Sequence, residues 1–222
     1  MSTVNGSWAR PKIVNDGLVL YLDANAPNSY SPYFTPTTWK DLSGNNNSGS
    51  LINGPTFSSA TGGGIVFDGV DDYVGVGKVN AMSSFTLSFW FNITSFLGES
   101  RFLYISNNSQ SPGFRPENGS NKLVWWDGNI TPGVYGVGTT TLQTNTIYNA
   151  TYVRNNTTGI KTIYLNAQIE FTGAAINTFQ NVDFSQGIGF NGKIFSTLIY
   201  NKALTSDEIL QNYNATKGRY GL

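Results

Sequence analysis

Three carboxylates crowd into one short stretch of the chain, Asp68-Gly69-Val70-Asp71-Asp72. Oxygen ligands of this kind suit a hard cation, and a glycine lets the backbone bend so that they converge, which makes the stretch a candidate Ca2+ loop. Asp23, at the end of the first strand-like segment, is a fourth candidate ligand if it approaches the same rim. The ligand spacing is not that of an EF-hand. The same residues also suit an ordinary turn, with Asp71 and Asp72 accepting hydrogen bonds from backbone N–H groups.

A second constellation is Trp125-Trp126-Asp127-Gly128-Asn129, with Arg115 upstream. Neighbours on a strand face opposite ways, so one indole enters the core and the other meets a concave face or solvent. An exposed indole stacks on the apolar face of a sugar ring, and Asp127, Asn129 and Arg115 are candidate hydrogen-bonding partners for its hydroxyls. The competing reading places both indoles in a core or an interface.

Other chemistries lack their residues. The 222-residue chain has no His and no Cys, which removes the commonest general base, the commonest transition-metal ligand and all thiolate chemistry. Its Ser and Thr hydroxyls therefore have no His to activate them. No catalytic residue is identified, and the chain is expected not to be an enzyme. Lys plus Arg number 13 and Asp plus Glu 13, without a run of either sign, so the basic patch that nucleic acid requires is absent. The first residues lack the basic and apolar regions of a secretory signal, and no stretch approaches the ~20 apolar residues of a membrane span. Synthesis in a cytoplasm, without membrane insertion, is expected.

The elements that would position these groups read as strands. Residues 85–93 (FTLSFWFNI) alternate strictly: Phe85, Leu87, Phe89, Phe91 and Ile93 share one face, and Thr86, Ser88, Trp90 and Asn92 the other. Further strand-like runs cover 17–23, 64–67, 73–76, 101–105, 122–126, 147–153, 161–165, 168–172 and 193–200, separated by Gly, Asn, Ser and Pro. So many short strands predict an all-β, two-sheet antiparallel sandwich in one domain over 16–222. One helix is predicted, with Thr205 as N-cap, Glu208 completing a capping box, and Leu204, Ile209 and Tyr213 fastening it to the sandwich.

Four blocks together resemble the bacterial and phage branch of the laminin-G-like, concanavalin A-like lectin/glucanase family. They are DGLVLYLDA (16–24), WKDLSGNNNSGSLINGPTF (39–57), IVFDGVDDYV (65–74) and GKIFSTLIYNKALTSDEILQNYNATKGRYGL (192–222). The resemblance implies a jelly roll with one concave sheet, a turn at Asp41-Leu42-Ser43-Gly44-Asn45-Asn46-Asn47 after an inward-packed Trp39, and often a structural calcium near one rim. Tyr164-Leu165-Asn166-Ala167 keeps the family's Tyr-x-Asn hairpin with Ala in place of its usual Gly. Glucanases of this fold carry an E-x-D-x-E strand; here Glu170 stands alone in QIEFTG, and Glu99 and Glu117 lie in loops. The ending resembles domains encoded by tailed bacteriophages.

These readings lead to an expected function as a non-catalytic phage virion component (capsid decoration, fibre or tail-associated module) with a lectin-like fold on the virion surface. Other virion subunits, including copies of itself, and host surface glycans are the expected partners. The alternative is a free carbohydrate-binding module, with a glycoside hydrolase ranked last. Residues 1–15 form an arm ahead of the first family-like block. Trp8, Arg10 and Ile13 are its candidate anchors on a neighbouring subunit, unless the arm packs on its own sandwich.

Overall fold

The computed structural model describes residues 12–34, 36–79, 82–96, 103–106, 113–117, 119–126, 135–175 and 182–222. Sixteen strands and a C-terminal helix occupy them. In chain order the strands are β1 (Leu18–Asp23), β2 (Thr38–Trp39), β3 (Gly49–Ile52), β4 (Thr56–Ser58), β5 (Gly64–Asp68), β6 (Tyr73–Val79), β7 (Phe85–Ser95) and β8 (Leu103–Ser106). There follow β9 (Gly113–Pro116), β10 (Lys122–Trp126), β11 (Tyr135–Thr141), β12 (Ile147–Asn155), β13 (Ile160–Leu165), β14 (Gln168–Ala174), β15 (Val182–Gln186) and β16 (Asn191–Tyr200), then α1 (Ser206–Thr216).

The strands form two antiparallel sheets of a jelly-roll sandwich. One runs β14-β13-β12-β7-β16-β5-β4, with β1 also on β16; the other runs β11-β10-β9-β8-β15-β6-β3-β2. The long alternating strand β7 lies near the middle of the first sheet, between β12 and β16. Its Phe85, Leu87, Phe89, Phe91 and Ile93 point into the core as their alternation predicts. From the second sheet Trp125 stacks on Tyr152 at 3.6 Å between ring centroids, with Phe85 and Phe114 tilted around the pair. Strands β2, β3, β4, β9, β11 and β15 escape the sequence pattern. They are short or rich in Gly, Ser and Asp, and their pairing partners make them strands.

The opposite face of β7 is also covered. Thr86, Ser88 and Trp90 are buried because the helix and the tail after it lie across this sheet. Thr205 accepts from the Glu208 backbone N–H, and the Glu208 carboxylate accepts from that of Thr205, completing the expected capping box. Leu204 before the cap and Ile209 in the first turn are buried together, a hydrophobic staple. Trp90 lies between Tyr213 of the helix and Tyr220 of the tail, with centroids at 5.5 and 4.5 Å, and donates from Nε1 to Thr216 Oγ1.

Side chains satisfy two exposed strand edges. The 41–47 turn clasps β1: Asp41 Oδ1 accepts from the Tyr21 N–H, while Asn45 and Asn47 donate to the carbonyls of Leu18 and Val19. This accounts for the Asp-Leu-Ser-Gly-Asn block as a turn that serves the strand edge. At the other end β14 closes on β11. Gly136 and Gly138 permit it, because an added Cβ would stand 2.8 Å from the Phe171 ring and 3.2 Å from the Glu170 carboxylate. Edges capped in this way resist pairing with another chain.

Candidate functional site

The indole pair splits as strand alternation requires. Trp125 is fully buried, so it belongs to the core and not to a glycan surface. Trp126 is half-buried on the outer face of the second sheet. Arg115 sits diagonally across β9–β10 on the same face, its guanidinium carbon 5.9 Å from the Trp126 ring centroid. A cation at that distance favours the electron-rich ring face and holds the indole in one orientation. The arrangement puts guanidinium donors over one face of a partly open indole, an apolar ring next to hydrogen-bond donors, the combination suited to a sugar ring. Asp127 and Asn129 lie outside the described residues.

The acidic loop links β5 to β6, and its carboxylates do converge. Ligand oxygens of Asp68, Asp71 and Asp72 all lie within 4.8 Å of one another. The turn reading is also visible here: Asp68 Oδ1 accepts from the Val70 N–H, and Asp72 Oδ2 from the Asp68 N–H. Burial pushes the Asp72 carboxyl above the usual carboxylate range, the negative charges of Asp68 and Asp71 add to this, and the backbone bond from Asp68 opposes it.

The structure does not bring Asp23 to this loop. Asp68 faces Asn191 across β16, whereas Asp23 faces Ser196, five positions or about 16 Å further along the strand. Asp23 is buried, accepting from Tyr21 Oη, the Asn25 N–H and Arg219 Nη1, the last at 2.7 Å. It anchors the C-terminal tail, and a buried carboxylate needs such a partner. Nothing in the local sequence distinguishes it from a ligand, because its partner lies at the other end of the chain.

Glu170 is occupied as well. Its Oε2 accepts from the backbone N–H and hydroxyl of Thr139 and from the backbone N–H of Thr140, and its Oε1 from the Thr140 hydroxyl, all at 2.7–2.8 Å. Burial raises the carboxyl, but these four donors outweigh it and hold the group below its ordinary range. It is a clamp between the two sheets.

The described end of the arm packs on its own chain. Val14 is buried in the cluster beneath the helix, its N–H donating to Asn212 Oδ1 and its carbonyl accepting from Tyr200 Oη. Ile13 packs against the same cluster, so it is committed to this fold instead of standing free as an anchor. Trp8 and Arg10 lie outside the described residues. Between the arm, β1 and the tail runs a cleft of about 500 Å³, bordered by Lys12, Leu18, Tyr21, Thr216 and Arg219. No local motif could have revealed it, since its walls come from both ends of the chain.

A family model described as the concanavalin A-like lectin/glucanases superfamily matches residues 68–210. No curated protein matches. Among solved structures, domain 4 of a GH43 extracellular arabinanase from Geobacillus stearothermophilus, solved in complex with arabinotriose, superposes with a TM-score of 0.72 at 16% identity. That alignment covers 88% of this chain and 98% of the other. Botulinum neurotoxin type C, whose cell entry depends on interaction with two ganglioside molecules, gives 0.68 at 19% identity over 91% of this chain and 52% of the toxin chain. Trypanosoma rangeli sialidase in complex with sialic acid gives 0.68 at 15% identity over 91% and 33%. This chain thus spans about half of the toxin chain and a third of the sialidase, and likeness at such identities establishes the fold. With the family model spanning most of the chain and the two-sheet sandwich matching its neighbours, the protein belongs to the concanavalin A-like lectin/glucanases superfamily and has a lectin-like fold.

Proposed function

We propose that this chain is a non-catalytic carbohydrate-binding module on the surface of a bacteriophage virion, where it decorates the capsid or forms part of a fibre or tail and grips host-surface glycans. The observation that carries the glycan reading is the outward Trp126 with the Arg115 guanidinium over its ring. The non-catalytic reading is supported by Glu170, the one Glu on a strand among the described residues, having both oxygens taken up by threonine donors. The phage-like ending and the balanced, sparse charge favour the virion surface, with other virion subunits and copies of this chain as its neighbours.

The experiment pairs two measurements. Wild-type protein should bind members of a glycan array, and Trp126→Ala should lose that binding while melting normally. Mass spectrometry of purified particles should find the native chain. Binding without particle association would leave a free carbohydrate-binding module, whereas particle association without glycan binding would leave a purely structural part.

Asp68, Asp71 and Asp72 fit a calcium ion in donor chemistry, since three hard carboxylate oxygens converge and their mutual repulsion awaits a counter-charge. When bound, the ion would supply that charge and fix the β5–β6 turn. Chelator should then lower the melting temperature through loss of a ligand that binds only the folded form, and Asp71→Ala should abolish the chelator effect. A melting curve indifferent to both chelator and added calcium would sink the idea.

A further inference from the structure

Between β1 and β2 the chain makes a loop that ends in two bare aromatic rings. Tyr33 is 89% exposed and Phe34 87% exposed. Single exposed apolar residues are common, but adjacent large rings standing clear of the fold form a patch of the kind that marks an interaction site.

The loop that carries them is fastened at its neck. Ser29, fully buried, accepts from the Asp23 N–H, donates from its hydroxyl to the Lys40 carbonyl, and accepts at its own carbonyl from the Lys40 N–H. Tyr30 packs on Phe57 with centroids 5.4 Å apart and donates from its hydroxyl to the Pro36 carbonyl, closing the base of the loop. Pro32 and Pro36 each fix one backbone angle. The closed neck and the two prolines remove part of the backbone freedom that docking would otherwise cost.

The chemistry around the tip narrows the ligand. Residues 24–39 contain no charged side chain, so the loop offers nothing to a phosphate or carboxylate and no counter-charge to a cation. Its flanks are amides and hydroxyls, with Asn28 and Thr37 both exposed. Flat aromatic faces inside a neutral hydrogen-bonding rim match the alternating C–H and hydroxyl surface of an uncharged sugar ring.

We propose that the loop bearing Tyr33 and Phe34 is a second saccharide-binding station, which stacks on a neutral pyranose. It rests on the glycan-binding reading above and adds a separate place and a ligand class. β2, where the loop returns to the second sheet, lies six strand spacings from Trp126 on β10, about 29 Å at usual strand separation. Two aromatic stations near opposite edges of one sheet suit a polymer of several sugars.

The test compares wild type, the double variant Y33S/F34S, and Trp126→Ala on immobilised neutral β-glucan, mannan and agarose, with neutral phosphatidylcholine vesicles as a further arm. The double variant should melt with the wild type, because the two rings are almost wholly in solvent. Its binding to the retained polysaccharide should weaken by about tenfold or more, the size expected for loss of an aromatic anchor. Wild-type retention with an unaffected double variant would overturn the second station and leave the glycan reading standing. No retention of any of the three proteins would overturn the station together with that reading for neutral glycans. Wild-type flotation with the vesicles, lost in the double variant and without polysaccharide binding, would overturn it in favour of a bilayer surface.

Discussion

Trp90 on β7 and Trp126 on β10 are both outward-facing indoles on strands, yet their surroundings are opposite. Trp90 looks out from the first sheet, but Tyr213, Tyr220 and Thr216 close over it and only 2% of its surface remains in solvent. Trp126 looks out from the second sheet, is partly open, and has Arg115 beside it. The first face has become a second core with Val14, Val153, Leu198, Tyr200 and Ile209. Outward direction on a strand therefore does not make a binding residue. What matters is whether the rest of the chain has a segment to lay over it, and here the helix and tail were spent on one face.

This contrast can be broken most directly by truncating each indole. Trp90→Ala should cost about 3–5 kcal/mol, read from the urea midpoint, because it opens a cavity beneath the helix. Trp126→Ala should change stability by less than about 1 kcal/mol, as a surface substitution does, while glycan retention is lost. Equal costs would mean that both faces are covered in solution.

The arginines on the two faces sharpen the point. Arg219→Ala leaves the Asp23 carboxylate buried without its cation, and a loss of about 2–4 kcal/mol is expected, moderated by the partial exposure of Arg219. Arg115→Ala should cost less in denaturant and more in glycan affinity. The readout is a pair of urea curves beside a pair of binding isotherms.

The seam between the sheets should respond to acid. Glu170 has a folded pKa below its ordinary value, so the stability it contributes is present above the unfolded pKa and is lost as pH falls through the folded one. Glu170→Gln, which removes charge-assisted bonds at a partly exposed site, should cost about 1–2 kcal/mol at pH 7. Its deficit relative to wild type should shrink as the pH is lowered through and below the ordinary glutamate range, where the depressed carboxyl protonates. A deficit independent of pH would remove the carboxylate from the clamp.

The smallest effect expected is a gain. Ala167 occupies a left-handed conformation, φ 62°, in the β13–β14 turn, where a Cβ is unfavourable. Ala167→Gly should relieve that strain and raise stability by up to about 1 kcal/mol, the relief being partly offset by glycine's freedom in the unfolded chain. A lower melting temperature would show that the turn is not strained.

Local pattern made much of this legible. The alternation in β7, the Thr205–Glu208 capping box and the split of the Trp125–Trp126 pair each depend on neighbours a few residues apart, and each stands in the structure as expected. Convergence of Asp68, Asp71 and Asp72 was equally readable, because one bend suffices to bring them together. Asp23 was misplaced for the opposite reason. As a chemical group it resembles the other three, and only the register along β16 separates it from them and gives it to Arg219.

By itself the sequence determined the sandwich, its inward-facing aromatics and the helix start, since hydrophobic periodicity and capping act over one turn or one strand. It also determined that chemistry dependent on His or Cys is closed to this chain. Only the tertiary structure decided that Trp90 is covered and Trp126 is not, that Glu170 is a clamp, that Val14 is core, and that Tyr33 and Phe34 stand in water. Each of those outcomes depends on contacts between segments far apart in the chain. Burial, partners and exposure follow from which surface meets which, and that is settled only when the two sheets, the arm and the tail have closed on one another.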